Sequence, residues 1–498
     1  MTTRSSRADA RLSSVLATLS ALGFAAHAQT RTESVNVDTA LTATAVRSTG
    51  VSSLGTVGTD MVTSASAAVS VHRTAGIVRA DGSMQLTAVH DVRHQLKDRL
   101  VPTGNLLMQA QSAGSGLGLD VNAAAQQVKP GQINQRVNPV QAGGAYNNAQ
   151  LRVSPYWARD LGSDLQVRAR LSRALVQNWS SQDQPGLVLP QDTRNSDDTF
   201  SLTRRPAPVG YGVEWQNQRT VTRDAAAPTY GERNLRGLLT YAWPVQTLQV
   251  SGIVGQSHVN SGINGRDETF HGARLAWRPS PVSRLSANVE QHFWGQSSHL
   301  DLDYTADRLS LSVNQAREVT TLSLYQISAA SSAAALNTGA AGTTGSTTVQ
   351  AAALAPNATD GIIVRNALGG SAVYALTRRD TIRASAGFVR NHTLNVADAG
   401  GASQIGQEGR NHYLSLSVDH KVTRTTTWSS SLRWDRTWTI SPVQPASLTR
   451  DFAWKTALNT ALNPTTSATM GVQRDITHRT SLPETSDTQM FLGLNHRL

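Results

Sequence analysis

The chain predicts an all-β protein: a transmembrane antiparallel up-and-down β-barrel of about 22 strands, within roughly 18–24, in the bacterial outer membrane. Three observations predict it. Apolar and polar residues alternate with period two along most of the chain. The alternating segments are long enough for a tilted strand to cross a bilayer. Short and longer connections follow one another, as in barrels with short periplasmic turns and longer outside loops.

The first 28 residues have the features of an export signal. Arg4, Arg7 and Arg11 form a basic start, an apolar run leads from Leu12 to Phe24, and Ala26-His27-Ala28 offers the small residues that signal peptidase needs. Residues 1–28 are thus expected to be cleaved as a signal peptide, and 29–498 to form the barrel. No later apolar run approaches the roughly 20 residues of a spanning helix.

The alternation is clearest in four segments. Leu165, Val167, Ala169 and Leu171 alternate with Gln166, Arg168, Arg170 and Ser172. Leu285, Ala287 and Val289 alternate with Ser286, Asn288 and Glu290, and Leu309, Leu311 and Val313 with Ser310, Ser312 and Asn314. Leu414, Leu416 and Val418 alternate with Ser415, Ser417 and Asp419. Successive side chains of an extended chain face opposite sides, so each segment has one oily and one wet face.

Short turns are expected at 79–82, 159–162, 206–209, 244–246, 279–281, 377–380 and 463–465. Longer loops are expected at about 179–196, 222–231, 259–267, 394–409, 440–449 and 478–486. Val319 to Ile327 looks like a strand and 328–360 is low-complexity, rich in Ala, Gly, Ser and Thr; 319–360 read as one long outside loop whose base extends a hairpin above the membrane, with folding into the lumen as the alternative. Trp157, Trp243, Trp277 and Trp428 lie beside short turns, where an interfacial girdle places tryptophan; ordinary packing is the alternative. The chain ends on an alternating strand, Met490, Leu492, Leu494, His496 and Leu498.

Composition narrows the function. There is no cysteine, which removes disulfides, thiolate metal sites and cysteine nucleophiles together. The chain is basic, formally +11, and apart from Lys97, Lys129, Lys421 and Lys455 the cations are arginines spread singly. Nucleic-acid binders gather charge in runs, so no nucleic-acid partner is expected. Outer-membrane lipid, lipopolysaccharide and the barrel-assembly machinery are the expected partners, with an anionic ligand in the lumen. Arg152, Arg168, Arg170, Arg236, Arg274, Arg383 and Arg433 fall on the polar face, which in a barrel lines the lumen. They would either attract anions as a ring or pair with acids on neighbouring strands and brace the wall.

No enzyme pattern emerges, and no catalytic residue or cofactor is expected. Gly114, Gly116 and Gly118 lead into a strand rather than into a helix that could hold phosphate. Asp301 and Asp303, near His292 and His299, are a conceivable metal set; the plainer reading makes both aspartates the lumen side of a strand.

Several stretches resemble one family. Trp277-Arg278-Pro279-Ser280-Pro281, Ser283-Arg284-Leu285 and His292-Phe293-Trp294-Gly295-Gln296-Ser297 are followed by Leu300-Asp301-Leu302 and Arg317-Glu318-Val319-Thr320-Thr321. Val153-Ser154-Pro155-Tyr156 and Tyr374-Ala375-Leu376-Thr377-Arg378-Arg379-Asp380-Thr381 continue the likeness. In this order they resemble the outer-membrane barrels associated with the PEP-CTERM/exosortase protein-sorting system. The resemblance implies a barrel that accompanies exopolysaccharide and sorting loci, with exopolysaccharide or its secretion apparatus as a partner, and supplies no catalytic residues. The expected function is a pore or export conduit for an anionic polymer or a sorted product. The alternative is a non-conducting barrel that anchors surface material.

Overall fold

The computed structural model describes residues 33–49, 58–73, 76–91, 98–112, 114–128, 146–180, 192–223, 230–243, 247–261, 264–321, 362–393, 408–440, 446–480 and 482–497. The expected signal peptide lies outside them.

These residues form 22 strands. The first eleven are β1 (Glu33–Thr49), β2 (Gly58–Arg73), β3 (Val78–Asp91), β4 (Arg99–Gln111), β5 (Leu117–Val128), β6 (Tyr146–Leu161), β7 (Leu165–Trp179), β8 (Thr193–Arg204), β9 (Val209–Thr222), β10 (Tyr230–Ala242) and β11 (Leu248–Ser261). The rest are β12 (Asn264–Ser280), β13 (Ser283–His292), β14 (Gly295–Thr305), β15 (Leu309–Thr321), β16 (Ile362–Ala375), β17 (Asp380–Thr393), β18 (Glu408–Lys421), β19 (Thr426–Ile440), β20 (Ser447–Ala461), β21 (Thr466–Arg479) and β22 (Leu482–Arg497). Each is antiparallel to the next, and β22 pairs with β1, Leu494 opposite Leu41. The sheet therefore closes and leaves no edge strand, the condition for a sheet to sit in lipid. Asp38 opposite Arg497 puts the start of β1 and the end of β22 at the same end of the cylinder, the one with the short turns.

Period two fixes the faces. Leu171, Leu239, Val254, Leu414, Leu416, Met470, Met490 and Leu492 are exposed, Val254 to 67%. In water this would be a large apolar surface; on a closed sheet it is the belt that meets lipid. The intervening positions carry Ser, Thr, Asn, Gln and charge. Asn148, Val176, Asn195, Thr220, Val259, Asn391 and Asn411 are buried on that inner face, all near the ends that adjoin the outside connections.

The turns expected at 206–209, 377–380 and 463–465 fall between strands or reach only the first residue of the next one, whereas 159–161 still belong to β6 and 279–280 to β12, so those hairpins turn slightly later, at 162–164 and 281–282; residues 244–246 lie outside the described residues, between β10 and β11. Three further expectations are corrected. Residues 79–82 are inside β3, and the chain turns instead at Gly76 and Ile77. Gly82 serves a close approach of the neighbouring strand: its φ is +150°, and a Cβ there would lie 2.3 Å from the Asn105 carbonyl oxygen. The loops expected at 259–267 and 478–486 are tight connections instead, β11 running to Ser261 and β21 to Arg479. Both hairpins keep pairing through polar residues such as Asn260, Asp267 and Thr485, where the oily-wet alternation that reveals a strand fades. Val319–Thr321 continue β15 and pair with β16; the remainder of the expected 319–360 loop lies outside the described residues.

Candidate functional site

The inner face of β6 to β15 holds a connected set of polar side chains. Register places Arg152 opposite Ala174, Ser154 shares the same face, and Arg170 stands opposite Tyr156. The Arg152 Nε donates to Ser172 Oγ at 2.7 Å, and Ser172 Oγ lies 2.9 Å from Ser154 Oγ. Arg152 also approaches Asp197 of β8 at 3.7 Å. Gln216 of β9 donates to Asp197 at 3.3 Å, and Arg236 of β10 donates to Gln216 at 3.4 Å. Arg236 then reaches Glu290 of β13 at 3.2 Å. The opposite reach is made by Arg274 of β12, whose two terminal nitrogens donate to both Glu214 oxygens of β9 at 3.1 Å.

Contacts that skip strands in this way identify the concave side, where side chains converge. Three strand intervals span about 14 Å of sheet at ~4.8 Å each. An arginine and a glutamate bridge that arc only where the wall bends toward them.

Glu290 is the hub. Its side chain is 3% exposed and accepts from Arg236, from Asn288 at 3.1 Å and from the His292 Nε2 at 3.3 Å. The His292 Nδ1 lies 2.8 Å from Glu268 of β12, so the ring faces a carboxylate on each side. The second Glu268 oxygen accepts from the Phe293 backbone N–H at 2.5 Å. A buried carboxylate needs such saturation, because losing water's hydrogen bonds otherwise costs several kcal/mol.

Aromatic rings frame the hub. Phe270 stacks on His292 at 4.6 Å between centroids, and Trp294 stacks on the same imidazole at 5.3 Å and 9°. Arg236 lies 5.4 Å above the Phe270 ring. The tight β13–β14 connection that delivers Trp294 depends on Gly295, whose φ of +117° suits glycine. Beside the stack opens a cavity of about 280 Å³ lined by Asn195, Gln216, Gln218, Asn234, Glu232 and Trp294, among others. Glu232 there accepts from the Tyr230 hydroxyl at 2.5 Å and from Asn234 at 2.7 Å. Amides, carboxylates and one stacked indole can hold a polyhydroxylated ligand through hydrogen bonds and ring stacking.

All seven arginines expected in the lumen stand on the inner face by register. Six have carboxylate partners: Arg152, Arg236 and Arg274 as above, Arg170 with Asp120 at 2.8 Å, Arg383 with Asp419, and Arg433 with Asp435 at 2.6 Å. Arg168 has no carboxylate partner among the described residues. The two readings offered for these arginines are thus weighted toward bracing.

Trp157, Trp243, Trp277 and Trp428 share the outer face at the short-turn end. The Trp157 Nε1 donates to the Ser115 carbonyl at 3.1 Å, the Trp428 Nε1 to Thr456 Oγ1 at 2.9 Å, and Trp243 meets Tyr241 edge-on at 4.9 Å. Asp380, the first residue of β17, accepts from Thr377 Oγ1 at 2.5 Å and faces His420 Nδ1 at 2.6 Å.

The conceivable metal set does not assemble. His292 is engaged by Glu268 and Glu290, His299 pairs with Asp301 at 2.6 Å, and Asp303 stands opposite Arg284. No group of three metal-ligating side chains occurs among the described residues. Sequence reasoning noticed His292 but missed Glu268, Phe270 and Glu290 around it. The run His292-Phe293-Trp294-Gly295 was the available signal, since three rings before a glycine are unusual at a strand end.

The closed sheet, its apolar belt and its wet interior define a transmembrane β-barrel of the bacterial outer membrane. No protein-family model matches the chain, and no characterised protein matches it by sequence. Among solved structures it is similar to the FrpB iron transporter from Neisseria meningitidis (F5-1 variant), with 9% identity, 94% of this chain and 83% of that chain covered, and a TM-score of 0.48. It is also similar to the ferric citrate transporter FecA in the unliganded form, with 11% identity, coverage of 92% and 78%, and a TM-score of 0.41. A third is Acinetobacter baumannii OccAB1, with 9% identity, coverage of 95% and 99%, and a TM-score of 0.35.

Proposed function

We propose that this barrel is a conduit for a polysaccharide chain leaving the cell, acting beside a PEP-CTERM/exosortase-type sorting system. The observation that carries the proposal is the inner-face cavity beside Trp294, with its amide and carboxylate lining. The resemblance of the Trp277–Ser297 stretch to barrels of sorting loci supports the choice of cargo. Because six of the seven arginines expected in the lumen are paired with acids, the cargo is gripped through hydroxyl groups and ring faces rather than through a free cationic ring. An acidic polymer remains acceptable, since the paired arginines still offer N–H groups at their edges.

The test is current through single barrels in a planar bilayer. A steady conductance, interrupted by added polysaccharide, is expected. Replacing Trp294 by Ala should shorten the interruptions about tenfold, the worth of one aromatic stacking contact of roughly 1–1.5 kcal/mol. A barrel that passes no current would support the non-conducting, surface-anchoring alternative instead.

A further inference from the structure

The outer surface of β17 to β21 carries charge where the belt below it is apolar. Register builds a row. His412 of β18 stands opposite Arg436 of β19, Arg436 opposite Arg450 of β20, and Arg450 opposite His478 of β21. All four alternate in step with Leu414, Leu416, Trp434 and Trp454, which are exposed, so the row faces outward. One step nearer the loops, Arg390 stands opposite Arg410. That pair has an answer within the protein: both donate to Glu408 at 2.6 Å.

Arg436 and Arg450 have no such answer. Neither has a carboxylate partner among the described residues. The Arg436 guanidinium lies 3.9 Å from the Trp438 ring centroid, and His412 meets the same ring edge-on at 5.5 Å. The aromatic contact fixes the guanidinium against the wall without neutralising it. Like charges on directly opposed strand positions destabilise a sheet, and here they do so at the edge of a low-dielectric layer.

Height decides what lies alongside. Arg436 is ten residues beyond Thr426, where β19 leaves the short-turn end. At about 3.3 Å per residue and a tilt of roughly 40°, that is about 25 Å, the height of a barrel's apolar belt. The row therefore sits at the headgroup level of the outer leaflet. Guanidinium groups match phosphate geometrically, giving paired hydrogen bonds.

We propose that Arg436 and Arg450, flanked by His412 and His478, bind the phosphate groups of an outer-leaflet glycolipid. The lipid's acyl chains would lie down the belt formed by Trp434, Leu414 and Trp454, and its phosphates would supply the missing counter-charge.

The experiment uses the full barrel extracted from outer membranes in mild detergent, with co-purifying glycolipid counted by native mass spectrometry. Arg436→Gln combined with Arg450→Gln should retain about tenfold less phosphorylated glycolipid while keeping the heat-modifiable gel mobility of a folded barrel. Wild-type protein offered the same glycolipid stripped of its phosphates should retain as little as the double variant does. Three results would overturn the proposal: equal retention by the folded double variant, equal binding of the dephosphorylated glycolipid, or displacement of the glycolipid by millimolar inorganic phosphate alone. The second arm uses unaltered protein, so it decides the matter even if the variant does not fold.

Discussion

The arc from β5 to β13 and the arc from β15 to β22 have the same alternating pattern, yet their inner faces are wired differently. In the first, charged partners skip strands: Arg236 on β10 to Glu290 on β13, Arg274 on β12 to Glu214 on β9, Arg170 on β7 to Asp120 on β5. In the second they stay local. Arg365 pairs with Glu318 on the adjoining strand at 2.9 Å, Arg383 with Asp419 next door, and Arg433 with Asp435 on its own strand. Ser385 and Ser415 join directly across one strand interval at 2.7 Å. The second arc even sets acids opposite one another, Asp435 by Asp451 and Asp475 by Asp487. The difference teaches that strand pairing closes a barrel, while ties across several strands fix how sharply it bends.

If that is right, cutting a long tie should cost more than cutting a short one. The largest effect is expected for Glu290→Gln. It leaves Arg236 and His292 facing a neutral amide in a nearly dry site, a loss of about 3 kcal/mol, and should lower the urea midpoint of the refolded barrel markedly. Asp419→Asn cuts the local, part-buried tie to Arg383 in the second arc and should cost about 1 kcal/mol in the same titration. Arg168→Gln, with no acid partner among the described residues, should fall within about 0.5 kcal/mol of the parent and serves as the control. Equal losses from all three would remove the distinction between the arcs.

Much of this fold was legible in the sequence because membrane strands obey one rule along their length. Leu414, Ser415, Leu416 and Ser417 announce their faces without reference to any neighbour, and the turns near Pro206, Pro279 and Asn463 announce the strand ends. Where the rule lapses, legibility lapses too. Above the belt both faces of a strand are wet, so the hairpins around 262–263 and 480–481 looked like loops. Gly82 looked like a turn because glycine serves both turns and close strand contacts. The candidate site was legible only as a list. Nothing in the spacing of Arg236 and Glu290, which lie 54 residues apart, tells which arginine meets which acid. That choice depends on curvature, a property of the closed sheet rather than of any one strand.

In a lipid-embedded barrel neighbouring side chains of a strand point alternately to lipid and to water, and the absence of native cysteine allows a clean measurement of that alternation. Single cysteines at 414, 415, 416 and 417, each carrying an environment-sensitive fluorophore, would be exposed to brominated lipid and to aqueous iodide in turn. Quenching by lipid at 414 and 416, and by iodide at 415 and 417, is the predicted result. Four positions that respond alike, or the opposite alternation, would contradict it.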